Sequence, residues 1–236
     1  MYAAASGMAA QQQNLDVVAD NLANADVAGF KSAQATFAAI GGNVQLGTAA
    51  TGVREMFAQG KLMKSGGPFD VAIDGTGFFA VSRDGERGYT RAGAFTRASD
   101  GSLRNVDGWT LAGVRIPKNA SDVAVAGDGN VTVRLDGRTS AAVGHIRLVA
   151  FDAPEKLRPI GSAMFAATRV SGPPHAVAAG GDRQPKIAFG SLEKSNVSIV
   201  ESMMAILAAQ RAYEANSKGV QAADEMLRIA NNIHRS

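Results

Sequence analysis

Metal or acid–base chemistry would fall first to the histidines. The three present are His145, in an apolar run, His175, in a Pro-rich stretch, and His234, in the C-terminal tail. No two of them have metal-ligand spacing. There is no cysteine, which excludes disulfides, thiolate metal sites and a cysteine nucleophile. Asp74-Gly75-Thr76-Gly77 resembles a fragment of a phosphate-binding loop. It lacks the third glycine and runs into Phe78-Phe79 rather than a helix, so it reads as a turn. Asp128-Gly129-Asn130 lacks the remaining acidic ligands of a calcium loop. Ser191 and Ser195 have no histidine close in sequence and no nucleophile-elbow motif. Three N-x-S/T sequons, at Asn119, Asn130 and Asn196, are short enough to arise by chance. These residues point to no catalytic site, no metal and no cofactor.

The elements that would position such residues are more informative. The chain has 236 residues, 46% hydrophobic and 19% charged, with a formal net charge of +3. That is a globular composition, long enough for a sizeable core. The charge is too small, and its Lys and Arg too scattered, for a nucleic-acid partner. No window is apolar enough to span a bilayer. The N-terminus has no basic region followed by an apolar one, which argues against a cleavable secretory signal.

The C-terminal stretch 196–233 contains no proline and one glycine, Gly219. Ala, Met, Leu, Gln, Glu and Arg dominate it, which predicts one long helix with Ser195 or Asn196 as its cap. Its apolar residues form two stripes. Ile199, Met203, Ile206, Tyr213, Val220 and Leu227 make one, and Val200, Met204, Leu207, Met226 and Ile229 lie on its neighbour. A helix on the surface of a globule needs one stripe. Two stripes call for more than one partner, and the chain offers one other such helix, over residues 3–25. There Met8, Leu15 and Leu22 recur a heptad apart with Val18 between. Further partners are therefore expected from other copies of the chain.

Between the helices the texture is β. Six Asp-Gly pairs, beginning at Asp74, Asp84, Asp100, Asp107, Asp128 and Asp136, are strong hairpin signals because both residues tolerate positive φ. They separate candidate strands at 78–82, 88–91, 103–106, 123–125, 131–135 and 143–151. The expected architecture is α+β: long N- and C-terminal helices pairing as a coiled-coil-like layer, with an inserted antiparallel β domain. Residues 1–30 and 195–236 form the helical part, 31–68 a Gly-rich transition, 69–168 the β domain and 169–194 a return loop.

Asn14-Leu15-Asp16-Val17-Val18-Ala19-Asp20-Asn21-Leu22-Ala23-Asn24, followed by Gly29-Phe30-Lys31, resembles the N-terminal motif of bacterial flagellar rod and hook proteins. That motif is an "NNLAN" helix end and then "GFK"; here Asp20 replaces the first Asn. Ser195-Asn196-Val197 and the run Gln210 to Lys218 are similar to the C-terminal signature of the same family. Asp70 to Phe79 and Tyr89 to Phe95 are similar to the start of its β domain. The 210–218 run and the stretch from Ile116 to Phe151 are most like the distal-rod members. Those members generally carry a longer segment between the first helix and the β domain.

The resemblance implies a non-enzymatic subunit of the periplasmic flagellar basal-body rod, a helical tube that transmits motor torque to the hook. It implies passage through the flagellar export apparatus without signal cleavage. The implied partners are copies of itself, neighbouring rod and hook proteins and the surrounding ring bushing. A proximal rod position, a hook subunit, and a periplasmic β-domain hydrolase or glycan-binding module are the alternatives. The expected assembly interface combines stripe residues Met8, Leu15, Val18, Leu22, Val200, Met203, Met204, Leu207, Tyr213, Val220, Met226 and Leu227 with motif residues Asn24, Gly29, Phe30 and Asn196.

Overall fold

A computed structural model of the chain describes residues 2–40, 47–135, 139–161 and 163–233. The chain divides into two compact units. The first contains residues 1–25, 32–56 and 197–236, and the second contains residues 26–31 and 57–196.

In the helical unit, α1 (Tyr2–Ala23) and α2 (Ile199–Ile233) pack against each other. Strands β1 (Ala33–Ile40) and β2 (Gly47–Glu55) form an antiparallel ribbon beside α1. Much of the segment read as a transition is thus this ribbon, too rich in Ala, Thr and Gly to show a strand's alternation. Asn24 ends α1, its Nδ2 donating to Asp20 O at 2.9 Å and its N–H to the same carbonyl at 3.1 Å. Helix α2 starts later than expected. Ser198, rather than Ser195 or Asn196, is the cap, its Oγ accepting from Glu201 N–H at 3.3 Å. A hydroxyl on the residue just before the helix reaches the third N–H beyond it, whereas Asn196 lies too far upstream.

The β unit holds β3 (Leu62–Lys64), β4 (Val71–Asp74), β5 (Phe78–Arg83), β6 (Glu86–Thr90), β7 (Thr96–Arg97), β8 (Ser102–Arg104) and β9 (Thr110–Arg115). It continues with β10 (Ala120–Val125), β11 (Asn130–Leu135), β12 (Thr139–His145), β13 (Leu148–Ala150), β14 (Arg158–Gly161), β15 (Met164–Ala166), β16 (His175–Val177), β17 (Lys186–Phe189) and β18 (Ser191–Glu193). Among the described residues, twelve of these strands form one antiparallel sheet with the main order β10-β11-β12-β9-β5-β6-β15-β14. The pairs β4–β17 and β3–β18 form two small ribbons of their own. Phe79, Val81, Trp109, Leu111, Ile116, Val131, Val133, Ile146 and Leu148 lie in the main core. Phe57 packs edge-on against Phe78 and Phe165 in a second apolar cluster.

Four Asp-Gly pairs make the turns expected of them. Those at Asp84, Asp100, Asp107 and Asp128 connect paired strands, and each glycine has a φ between +80° and +97°. Asp74-Gly75 does not, because β4 pairs with β17 and not with β5. The pair at Asp136 lies outside the described residues. The strand expected over 143–151 is two strands, because the chain changes partners within it: β12 pairs with β11 and β9, and β13 with β5 and β16. Where a loop is expected after residue 168, β16, β17 and β18 occur, each too short for a legible alternation.

Candidate assembly interface

Helix α2 has 35 residues and α1 has 22, about 52 and 33 Å at 1.5 Å per residue. One cannot cover the other along its length. The face of α2 that is covered shares only Ile206 and Val220, both half-buried, with the large apolar stripes. Ser202 and Ala209 are buried, and Ala205, Ala212, Asn216 and Val220 are half-buried, at spacings of three and four. On α1, Gly7, Ala10, Asn14, Val17 and Asn21 are buried or half-buried at the same spacings, and of these Asn21 turns its side chain to Ala33 of β1. A Cβ on Gly7 would meet Asn216 Nδ2 at 3.1 Å. Small side chains let two helices approach closely. Sequence reasoning passed over these rows because it scored large apolar residues; the Ala205, Ala209, Ala212 spacing was the available signal.

The large residues are left outside. Val200, Met203, Met204, Leu207, Tyr213 and Met226 are 41–67% exposed. With Ile199 and Ile229, also exposed, they run along most of α2. Val220 is half-buried, and the side chain of Leu227 lies outside the described residues. On α1, Met8, Leu15, Val18, Leu22 and Asn24 are all half-buried. Near the end of α1, burial and the neighbouring Asp20 charge push the Glu55 carboxyl up to about 7.

The motif residues Gly29, Phe30 and Asn196 belong to the β unit, apart from the helix rows. Gly29 has φ +70°, and its N–H donates to Glu193 O at 2.7 Å. Asn196 Nδ2 donates to Ala58 O at 3.0 Å. Phe30 is half-buried. Beside them is a cluster that sequence reasoning missed. Lys31, Arg91 and Glu193 are all buried. Glu193 Oε1 accepts from Lys31 Nζ at 2.6 Å and from Gly60 N–H at 2.8 Å. Lys31 Nζ also donates to Ala58 O at 2.8 Å. Arg91 Nε lies 2.9 Å from Glu193 Oε2, an ion pair without a hydrogen bond, and among the described residues no group donates to Oε2. Burial holds both Lys31 and Arg91 below their ordinary pKa, and the Glu193 carboxylate partly offsets this.

The candidate chemical motifs resolve into turns. Arg91 donates to the carbonyls of Gly77 (2.8 Å) and Gly75 (2.9 Å). The Asp74–Gly77 loop therefore offers carbonyls to a cation and makes no anion cradle. Beside it, Phe57, Phe78, Phe151 and Arg91 line a largely apolar cavity of about 430 Å³. Asp128 accepts from Asn130 N–H and Asn130 Nδ2, as a local turn. Among the described residues, no group of three His, Asp or Glu side chains could hold a metal, and no helix is long and apolar enough to cross a membrane.

Three family models match the chain: flagella basal body rod protein over residues 1–31, flagellar hook protein FlgE/F/G D1 domain over 72–133, and flagellar basal body rod FlgEFG protein C-terminal over 189–233. The flagellar basal-body rod protein FlgG of Agrobacterium fabrum is 35% identical over 250 residues, covering 96% of this chain and 95% of the relative. The chain belongs to the flagellar basal-body rod protein family. FlgG of Borreliella burgdorferi is 35% identical over 260 residues, covering 100% and 98%. The rod protein FlgF of Caulobacter vibrioides is 32% identical over 244 residues, covering 98% and 95%. All three alignments exceed this chain in length, so these rod proteins carry residues with no counterpart here.

Proposed function

We propose that the chain is a structural, non-enzymatic subunit of the flagellar basal-body rod, of the distal-rod type represented by FlgG. Its copies assemble into a helical tube in the periplasm that transmits motor torque to the hook. The two helices pair as a coiled-coil-like inner layer of the tube. Neighbouring rod and hook proteins join it end to end, the flagellar export apparatus delivers it, and the ring bushing surrounds it.

The observation that carries this reading is the uncovered apolar row on α2. Val200, Met203, Met204, Leu207 and Met226 are all more than half exposed, on a helix about 20 Å longer than its partner. A second copy is the occupant that fits, because every copy of the chain carries the same uncovered row and can bury it against the next. The two terminal family matches, over residues 1–31 and 189–233, include α1 and α2, which supports the reading.

The test is rod assembly and motility in a strain that lacks the wild-type copy and expresses Leu207→Asp or Met204→Asp. Both side chains face solvent in the monomer, so the protein stays soluble with normal β circular dichroism. Burying an unpaired charge at each subunit contact is strongly disfavoured, so no rods form. Normal rods from both variants would sink the proposal.

A further inference from the structure

The ribbon β3–β18 is three residues on each side, and a two-stranded ribbon of that length does not hold itself together in water. What surrounds it is a set of bonds that converge on one side chain. Glu193, the last residue of β18, receives Lys31 and Gly60 on Oε1 and has Arg91 at Oε2. Its backbone carbonyl receives Gly29 N–H. The ribbon is extended at both ends, by Lys194 N–H to Lys61 O (2.9 Å) and Ser65 N–H to Gly190 O (2.8 Å). Lys31 and Asn196 both donate to Ala58 O.

These bonds join three separated stretches, residues 29–31, 58–65 and 190–196. Each stretch lies at or beside a point where the chain passes out of the β unit. Lys31 and Glu193 are 162 positions apart, so the cluster closes only when the chain between them is in place. A buried carboxylate facing two cations is costly to break by removing one partner, since the remaining charges keep their desolvation penalty.

We propose that Glu193 is the latch of a seam, formed by residues 29–31, 58–65 and 190–196, that opens and closes as one cooperative element while the β core stays folded. The seam has few apolar residues of its own: Phe30, Leu62 and Leu192 are half-buried and Met63 is exposed. The core of the sheet, around Ile116, Ile146 and Val131, is fully buried and apolar. Local opening belongs to regions of that first kind. An open seam frees the chain on the β-unit side of both helices without disturbing the sheet.

Amide hydrogen exchange on the full chain tests this. In the wild type, the amides of Gly29, Gly60, Ser65 and Lys194 share one opening rate, faster than those of Ile116 and Ile146, which bond to Gly101 O and Gly129 O in the core. In Glu193→Gln the four seam amides exchange about 100- to 1000-fold faster, and the two core amides hold their protection. Lys31→Met/Glu193→Gln recovers at least about tenfold of that loss, because one buried charge has gone with its partner. Four unrelated wild-type rates would overturn the latch. So would seam amides indifferent to Glu193→Gln, or core amides that accelerate by the same factor.

Discussion

Asn21 and Ala33 exchange two hydrogen bonds. Asn21 Nδ2 donates to Ala33 O, and Ala33 N–H donates to Asn21 Oδ1, each at 2.7 Å. The side chain at the end of α1 thereby completes the first residue of β1, where a backbone partner would otherwise be needed. Asn21 is buried, so water does not replace it freely. Asn21→Ala leaves the N–H and C=O of Ala33 unpaired and costs about 1–3 kcal/mol. The helical unit should unfold at lower urea by helical circular dichroism, with the Ala33 amide losing exchange protection first. An unchanged midpoint would mean that the ribbon is held by its own pairing.

The Glu55 carboxyl gives the helical unit a pH dependence of definite sign. Its folded value is raised to about 7 from 4.5 by burial and by Asp20. Below pH 4.5 it is protonated in both states. As pH climbs from there to about 7, the unfolded chain releases the proton and the folded chain keeps it. The folded state then binds more protons, so stability falls as pH rises through this window and levels off above it. Glu55 is only half-buried, and after discounting for solvent screening the effect is about 1–2 kcal/mol. Glu55→Gln should flatten the profile and exceed wild-type stability at about pH 8, as read from urea midpoints at several pH values.

The two helices and most of the sheet were legible because their signals are local. Absence of proline marked out α2, and Asp-Gly pairs marked out the turns at Asp84, Asp100, Asp107 and Asp128. What was hidden depends on residues far apart in sequence. Lys31, Arg91 and Glu193 each look like a solvated surface charge, and only the fold makes them one buried cluster. The helix rows that pack within the chain were hidden for another reason. Large side chains on α2 looked like the packing surface, but packing within the chain uses Ser202, Ala205 and Ala209, and leaves Met204 and Leu207 outside. The two-stripe pattern asked for more than one partner, and it gave no sign that small residues make the contact within the chain.

Gly29 and Gly190 separate the cost of backbone conformation from the cost of space. Their φ values are +70° and +65°. A Cβ on Gly29 would lie 2.3 Å from Ala92 N and 2.5 Å from Arg91 C, whereas a Cβ on Gly190 meets nothing within 4 Å. Gly190→Ala should cost about 1–2 kcal/mol, the penalty of the left-handed region. Gly29→Ala adds a clash with backbone that cannot move aside, and should cost well beyond that. Both glycines lie in the seam, so amide exchange at Gly60 and Lys194, whose N–H groups bond to Glu193 and Lys61 there, reads the cost of each variant. Equal acceleration in the two variants would remove the close approach of Gly29 to Ala92 as the reason for glycine.

Ala208 and Ala209 are adjacent on α2 and face opposite circumstances. Ala209 is 3% exposed and lies on the row that meets α1, while Ala208 is exposed. Leucine is a good helix former, so neither substitution opposes the helix itself. At Ala209 the added carbons have no room, and the small-residue contact between the helices must open. Overpacking of this kind costs about 1–3 kcal/mol. At Ala208 the same carbons enter solvent in the monomer. Ala209→Leu should therefore lower the stability of the helical unit in dilute monomer, and Ala208→Leu should leave it within about 0.5 kcal/mol of wild type. Thermal melts followed by helical circular dichroism compare the two directly. If both variants melt alike, the internal contact does not run along the Ser202, Ala205, Ala209 row, and the apolar row beside it would lose its claim to be the surface left for other copies.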